Sequence, residues 1–548
     1  MKKKLSIAAA LVSILILGLS NKTNETAPEN FEIAKNIEIF VNLYKELNTY
    51  YVDDIDPNVL VRKGIDAMLT NLDPYTDYIP EEDGDSFTFQ LTGKYEGIGA
   101  MVRRFKNQFL VQDLYENSPA QKAGLWVGDV IISVNGKNLN PKDRNSDEVL
   151  KGEPGSTISV KVKRTGEAQE KTINIKRDEI NVSSIPYSTV LEGGIAYVSV
   201  SAFTDKVASQ FMQQLKDLQQ KGGKNGLILD LRGNGGGLLN EAVDMVNLFV
   251  DKGKIIVETR GKIKDWNRTF RALNEPLDTK LNVVILIDEN SASASEIVAG
   301  AIQDFDRGVV IGKRSYGKGL VQNTRDVGYN AKVKLTTAKY YTPSGRCIQS
   351  VNYNSGSAVK IEDNKRMAFK TTNGRVVYDG GGIEPDVTMP DIELSALTRS
   401  LLEQNLIFDF VTLYKIQHRT IADADKFSLS NEDFEDFAHF VSEQSDFNYQ
   451  TDSEKALNEL EARAKEEKYI KNIEADLVDL KKQFALSKKE DIRKYKDQIS
   501  RYLTNEIVNR YYFKKGARQN ALIADKAVAS ALELLKNQSK YKSILSQK

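Results

Sequence analysis

Cysteine and histidine are nearly absent from this sequence: Cys347 is the single cysteine, and His418 and His439 are the only histidines among 548 residues. A lone thiol excludes an intrachain disulfide and a thiolate metal cluster. The scarcity of imidazole weighs more, because histidine is the usual base in nucleophilic catalysis and both copies fall far downstream. An excess of one charge is missing too. Lysine plus arginine number 76, and so do aspartate plus glutamate. No global basic field exists to hold nucleic acid, and no nucleic-acid partner is expected. Long apolar runs are missing after residue 19.

What is present fits an ordinary globular protein, with 41% apolar and 28% charged residues. The length suggests about three or four domains. The sequence opens with Met1-Lys-Lys-Lys4, an apolar run over 5–19 and a polar stretch from Ser20. This is the layout of a secretory signal, and the run falls short of the roughly 20 apolar residues of a membrane span. Residues 1–20 are read as a signal peptide cleaved before Asn21, or as a retained anchor to the inner membrane. No cysteine follows the run, which excludes a lipoprotein anchor. A periplasmic or otherwise exported location is expected.

Texture divides the remainder. Residues 21–90 read as a helical region, with Ile33, Ile37, Phe40, Val41, Tyr44 and Leu47 at helical spacing. Residues 91–178 carry short strands and the turn signals Asn135-Gly136 and Thr165-Gly166. Over 179–391 strands alternate with helices, which argues for an α/β core. Residues 392–548 are long, charged and helical in period. The fold class expected is multidomain α+β.

Gly93-Lys-Tyr-Glu-Gly-Ile-Gly-Ala-Met-Val102 and the run Ser118 to Gly136 resemble the two halves of a PDZ domain. Glycines there let successive amides turn toward one carboxylate, while a peptide adds as a strand to the sheet edge. Ile98, Gly99 and Ala100 match the carboxylate-binding loop. Protein or peptide partners with apolar C-termini would suit it.

Three segments carry the chemistry: Asp230-Leu-Arg-Gly-Asn-Gly-Gly-Gly237, Asn290-Ser-Ala-Ser-Ala-Ser-Glu-Ile-Val-Ala-Gly300 and Gly312-Lys-Arg-Ser-Tyr-Gly-Lys-Gly-Leu-Val-Gln322. A serine nucleophile needs a base, and without a nearby histidine a lysine, aspartate or glutamate must serve. Lys318, between two glycines, stands out. A free lysine titrates near ~10.4, and burial lowers that at about 1.4 kcal/mol per unit. The glycine run and the start of the helix after Ser293 offer amides for an oxyanion. Each segment also has a plain reading: Ser293 and Glu296 have capping-box spacing, the glycines make a turn, and a single lysine is commonly a surface group.

The order of these segments, together with Tyr340-Tyr-Thr-Pro-Ser-Gly345 and Gly382-Ile-Glu-Pro-Asp-Val387, resembles the carboxyl-terminal processing peptidases, or tail-specific proteases, over residues 30–390. The resemblance implies a crotonase-like α/β protease core and a serine endopeptidase without cofactor or metal. It makes Ser293 the nucleophile, Lys318 the base and Gln322 the residue holding the lysine ammonium. Ala294 and Gly236 would supply the oxyanion amides, with Asp304 and Glu296 supporting. The helical tail points to the long-tailed, periplasmic branch. An adaptor protein and membrane association through the N-terminus are left open as partners. An inactive PDZ scaffold and an acyl-thioester enzyme are the rival readings.

Overall fold

The computed structural model describes residues 27–546 apart from 143–145, 147, 355–356 and 392. The expected signal or anchor over 1–20 lies outside the described residues. No described helix is long and apolar enough to cross a membrane.

Residues up to Leu72 form one unit and residues from Asp73 another. In the first, the helices Ala27–Tyr50 and Pro57–Thr70 are joined by a short link. The Asp56 carboxylate accepts the amides of Asn58 and Val59, and Pro57 fills the first helical position, so the second helix starts where its sequence says it should. The expected 21–90 region divides at this point. Strand Asp77–Ile79 pairs antiparallel with Ala331–Tyr341, so 73–90 fold with the larger unit.

Within that unit the expected PDZ region is a six-stranded antiparallel sheet. Five strands run in the order Ala100–Phe105, Gln108–Leu114, Val130–Val134, Thr157–Lys163, Lys171–Lys176, and the short strand Lys137–Asn138 pairs with the third. Phe109, Val111, Leu125, Ile131, Ile158, Val160 and Ile175 fill its core. The chain enters and leaves through one antiparallel pair, Lys94–Gly97 with Asp178–Asn181. Asp129 and Arg164, both buried, pair at 2.7 Å, and Arg164 also donates to the Gly124 carbonyl at 2.8 Å, closing the loop before the third strand.

The α/β body is built on a six-stranded sheet: Tyr187–Leu191, Ile195–Ser199, Gly226–Asp230, Val283–Ile287, Gly308–Gly312, Val387–Thr388. The first pair is antiparallel and the rest are parallel. The four middle strands are buried at every position, which requires cover on both faces. Helices Val207–Gln220, Leu239–Asn247 and Ala294–Asp304 cover one face. The other is covered by Lys526–Lys536 and Gln538–Ser546, through Val528, Ala531, Leu535 and Tyr541. Tyr541 Oη both accepts from the Val283 amide and donates to its carbonyl, at 3.0 and 2.9 Å.

The tail expected as one helical domain over 392–548 therefore has two roles. Its helices up to Ala521 enclose a separate core around Leu401, Phe410, Phe434, Phe437, Ile499, Leu503 and Ile507. Its last two helices complete the α/β body.

Candidate active site

Three adjacent parallel strands, Gly226–Asp230, Val283–Ile287 and Gly308–Gly312, each end in one of the three segments singled out from sequence. Loops at the carboxyl ends of neighbouring parallel strands converge, which is why such sheets place their sites there.

Of the three serines in the second loop, two are spent on structure. Ser291 Oγ donates to the Leu231 carbonyl and Ser295 Oγ to the Asn234 carbonyl, each at 2.8 Å, and both residues are fully buried. Ser293 is partly exposed. Among the described residues its hydroxyl donates no hydrogen bond. Its backbone has φ 55° and ψ −112° at the start of helix Ala294–Asp304. A left-handed non-glycine residue there is strained, and such strain is held only where surrounding structure enforces it. The enforcement is visible. Ala292 N donates to the Asn234 carbonyl at 3.0 Å, and Ser293 N donates to Glu296 Oε2 at 2.8 Å.

Glu296 is fully buried and accepts four hydrogen bonds. Oε1 takes Ser315 Oγ at 2.5 Å and Gly317 N at 2.7 Å. Oε2 takes Ser293 N at 2.8 Å and Lys318 N at 2.9 Å. One carboxylate thus ties the serine loop to the lysine loop by backbone. Burial pushes this carboxyl above the ordinary carboxylate range, against the pull of its donors. A proton on either oxygen would have to displace one of them.

The Lys318 side chain is partly buried. Burial first, and then the Lys334 charge, lower its pKa below the ordinary lysine value, while Glu296 and Asp73 oppose the shift. Its Nζ lies 4.4 Å from the centroid of the Tyr75 ring. No hydrogen bond joins Lys318 Nζ to Gln322 among the described residues. Gln322 Nε2 donates to Thr336 Oγ1 at 3.2 Å. Same-side placement of residues four apart presumes an unbroken strand. Here the strand begins at Leu320, and a bulge between Val321 and Gln322 shifts the alternation.

The oxyanion expectation changes at one of two positions. Gly236 lies against Ser293: a Cβ there would come within 2.8 Å of both Ser293 Cβ and the Ala292 carbonyl oxygen, and its φ is +104°. Its amide, however, donates to Asn234 Oδ1 at 2.9 Å. The buried Asn234 side chain folds back on its own loop and takes the donor that the glycine run was expected to present. Among the described residues, the amides of Ala294 and Gly235 donate to no protein acceptor.

Asp304 supports from behind. It is buried, and it accepts Arg346 Nη2 at 2.8 Å, Thr342 Oγ1 at 2.5 Å and Ser344 N at 3.0 Å. It thereby anchors the Thr342-Pro-Ser-Gly-Arg346 turn to the end of helix Ala294–Asp304. Cys347 lies partly buried, and burial raises its thiol above the ordinary range.

In the PDZ domain, Gly99 has φ +76°, and a Cβ there would meet Ser118 Cβ at 2.3 Å. Ile98 is buried and its carbonyl accepts the Ala120 amide at 2.8 Å, which leaves Ala100 to open the edge strand Ala100–Phe105. A groove of about 710 Å³ runs beside that strand, lined by Phe89, Tyr95, Ile98, Ala100, Val102 and Leu150 among others.

Sequence reasoning missed Tyr75, Asn234 and Ser315. Asn234 and Ser315 stood within the segments singled out from sequence; Tyr75 lay in none of them.

Known families match along the chain in the order PDZ domain, residues 97–176; Peptidase family S41, 194–355; and Probable PDZ-protease, C-terminal helical domain, 397–535. A Probable CtpA-like serine protease of Staphylococcus aureus (strain COL) is 34% identical over 412 residues, covering 74% of this chain and 78% of its own. A Carboxy-terminal-processing protease of Bartonella bacilliformis is 35% identical over 343 residues, 62% of this chain and 77% of its own. Among solved structures, the photosystem II D1 C-terminal processing protease matches at 23% identity and a TM-score of 0.34, covering 64% of this chain and 92% of that one. The chain therefore belongs to the carboxyl-terminal processing proteases, the PDZ-bearing serine peptidases of family S41.

Proposed function

We propose that this protease cleaves by a Ser293–Lys318 pair, on exported proteins whose apolar C-termini are held in its PDZ groove. The observation that carries the reading is Glu296, which accepts the backbone amides of both Ser293 and Lys318 and so holds nucleophile and base loops in one frame. The strain at Ser293 and the lowered pKa of Lys318 support the same assignment.

The neutral Lys318 amine takes the Ser293 hydroxyl proton as Oγ attacks the scissile carbonyl. The resulting oxyanion is met by the Ala294 amide at the start of its helix. The Lys318 ammonium then returns the proton to the leaving amine, and the acyl-enzyme is hydrolysed by a water that Lys318 deprotonates in turn. The edge strand Ala100–Phe105 supports strand addition by a substrate tail. The charged-then-apolar opening of the sequence supports export.

The test is cleavage of an unstructured peptide with an apolar C-terminus. Loss of turnover in both Ser293→Ala and Lys318→Ala, with peptide binding retained, is the expected result. Turnover retained in Lys318→Ala would end the two-residue mechanism. Recovery of the protein solely from the cytoplasmic fraction of its host would end the export reading.

A further inference from the structure

Lys318 has a partner that the proposed mechanism does not use. Its Nζ sits over the face of Tyr75, 4.4 Å from the centroid, and among the described residues no hydrogen bond joins it to Ser293 Oγ or to Gln322.

The ring is held on several sides. Asp73 Oδ1 accepts the amides of Tyr75 and Thr76 at 2.8 and 2.9 Å. Thr76 Oγ1 donates to Asp73 Oδ2 at 3.0 Å and accepts the Thr336 amide at 3.2 Å. The next residues pair with the Ala331–Tyr341 strand. At the other end, Tyr75 Oη donates to Tyr316 Oη at 3.3 Å, and Tyr353 packs edge-on at 6.3 Å. Tyr316 belongs to the Lys318 loop, and its amide donates to the Ser291 carbonyl at 3.1 Å. The ring is thus fixed to the loops of both nucleophile and base.

We propose that Tyr75 is a positioning residue which parks the protonated Lys318 side chain on its ring face in the resting enzyme, so that lifting the amine off this ring toward Ser293 readies the pair. This rests on the reading of Lys318 as the base. The face of an aromatic ring attracts a cation and has little hold on a neutral amine. Tyr75 therefore opposes the deprotonation that burial and Lys334 favour, and acts in the same sense as the carboxylates of Glu296 and Asp73. Burial and the Tyr316 hydroxyl push the Tyr75 phenol well above its ordinary value. The ring stays neutral, so its effect on the lysine is that of its π face.

The experiment uses full-length protein carrying Tyr75→Phe, Tyr75→Leu, and phenylalanines of increasing ring fluorination at position 75. Two readouts are taken. One is the pH profile of kcat/KM on a peptide with an apolar C-terminus. The other, in a Ser293→Ala background, is the pH dependence of Lys318 labelling by an amine reagent, followed by peptide mass spectrometry. Tyr75→Phe should keep the wild-type profile. Tyr75→Leu should move the acid limb and the labelling midpoint down by about half to one pH unit, a three- to tenfold gain in neutral amine below the limb, with KM unchanged. The fluorinated series should shift both in graded steps, and it decides the matter if the leucine variant fails to fold. Unmoved midpoints across the series, or Tyr75→Phe shifting as far as Tyr75→Leu, would overturn the role of the ring. Turnover surviving in Lys318→Ala would instead overturn the base, and the labelling profile would still report on Tyr75.

Discussion

Arg232 meets Asp525 through two hydrogen bonds, Nη1 to Oδ1 at 3.1 Å and Nη2 to Oδ2 at 2.7 Å. Arg232 is the third residue of the glycine-rich segment, and it also grips Asp230, which in turn accepts the Tyr197 hydroxyl. Asp525 caps helix Lys526–Lys536 by accepting the amides of Ala527 and Val528. A single carboxylate therefore fastens the tail to the loop that carries Gly235 and Gly236.

Asp525→Ala removes both the cap and the ion pair. The pair is about four-fifths buried, so a loss of about 2 kcal/mol or more is expected for docking of the last two helices. Hydrogen exchange in 526–546 should quicken by about thirtyfold. Asp525→Asn keeps a capping oxygen and should lose less. Equal exchange in the two variants would show that the ion pair adds nothing to docking.

Glu296→Gln tests the frame that joins the Ser293 and Lys318 loops. Glutamine offers one accepting oxygen where four donors now converge. Its NH2 would face donors, at about 1–3 kcal/mol for each group left unpaired. Turnover should fall by about a hundredfold or more, and thermal stability should drop. A glutamine variant with wild-type turnover would mean that the loops keep their positions without the carboxylate.

Much of this arrangement was legible in the residues themselves. Strand Val283–Ile287, a run of branched apolar residues, and the helix that opens at Ala294 follow from local patterning. What escaped depends on contacts that hydrophobic periodicity does not encode. The bulge beside Gln322 overrides strand alternation. The amide of Gly236 is claimed by a side chain only two residues away. Tyr75 meets Tyr316 across 241 positions of sequence. The final helices carry the same charged, helical texture as the rest of the tail, so their burial against the central sheet became visible only through Val528, Ala531 and Tyr541.

The lowered pKa of Lys318 sets a direction for pH dependence. Between its folded value and the unfolded value near ~10.4, the unfolded chain binds the extra proton, so this residue makes stability rise with pH across that window. Below the folded value the residue is charged in both states and its burial cost is present in full. Lys318→Met should flatten this part of the stability curve and raise stability at neutral pH. Parallel curves for wild type and variant between pH 7 and 10 would contradict a lowered lysine. In the wild type, kcat/KM should climb with pH as the amine loses its proton, with the limb below the ordinary lysine range.

Gly99 offers the sharpest test of the PDZ groove. Its φ of +76° disfavours any side chain, and an added Cβ would stand 2.3 Å from Ser118 Cβ and 3.1 Å from Ile180 Cδ1. Neither neighbour can withdraw easily. Ser118 caps the short helix Pro119–Lys122 through Gln121 N, and Ile180 is buried in the strand pair at the domain's entrance. Gly99→Ala must then push out the loop between Ile98 and Ala100, where a terminal carboxylate would be received. Affinity for a fluorescent peptide with an apolar C-terminus, measured by anisotropy in full-length Ser293→Ala protein, should fall at least about tenfold, roughly the strain of one left-handed alanine. The same peptide with an amidated C-terminus should already bind weakly and lose little more. Equal losses for the free-acid and amidated peptides would mean that this loop does not read the carboxylate.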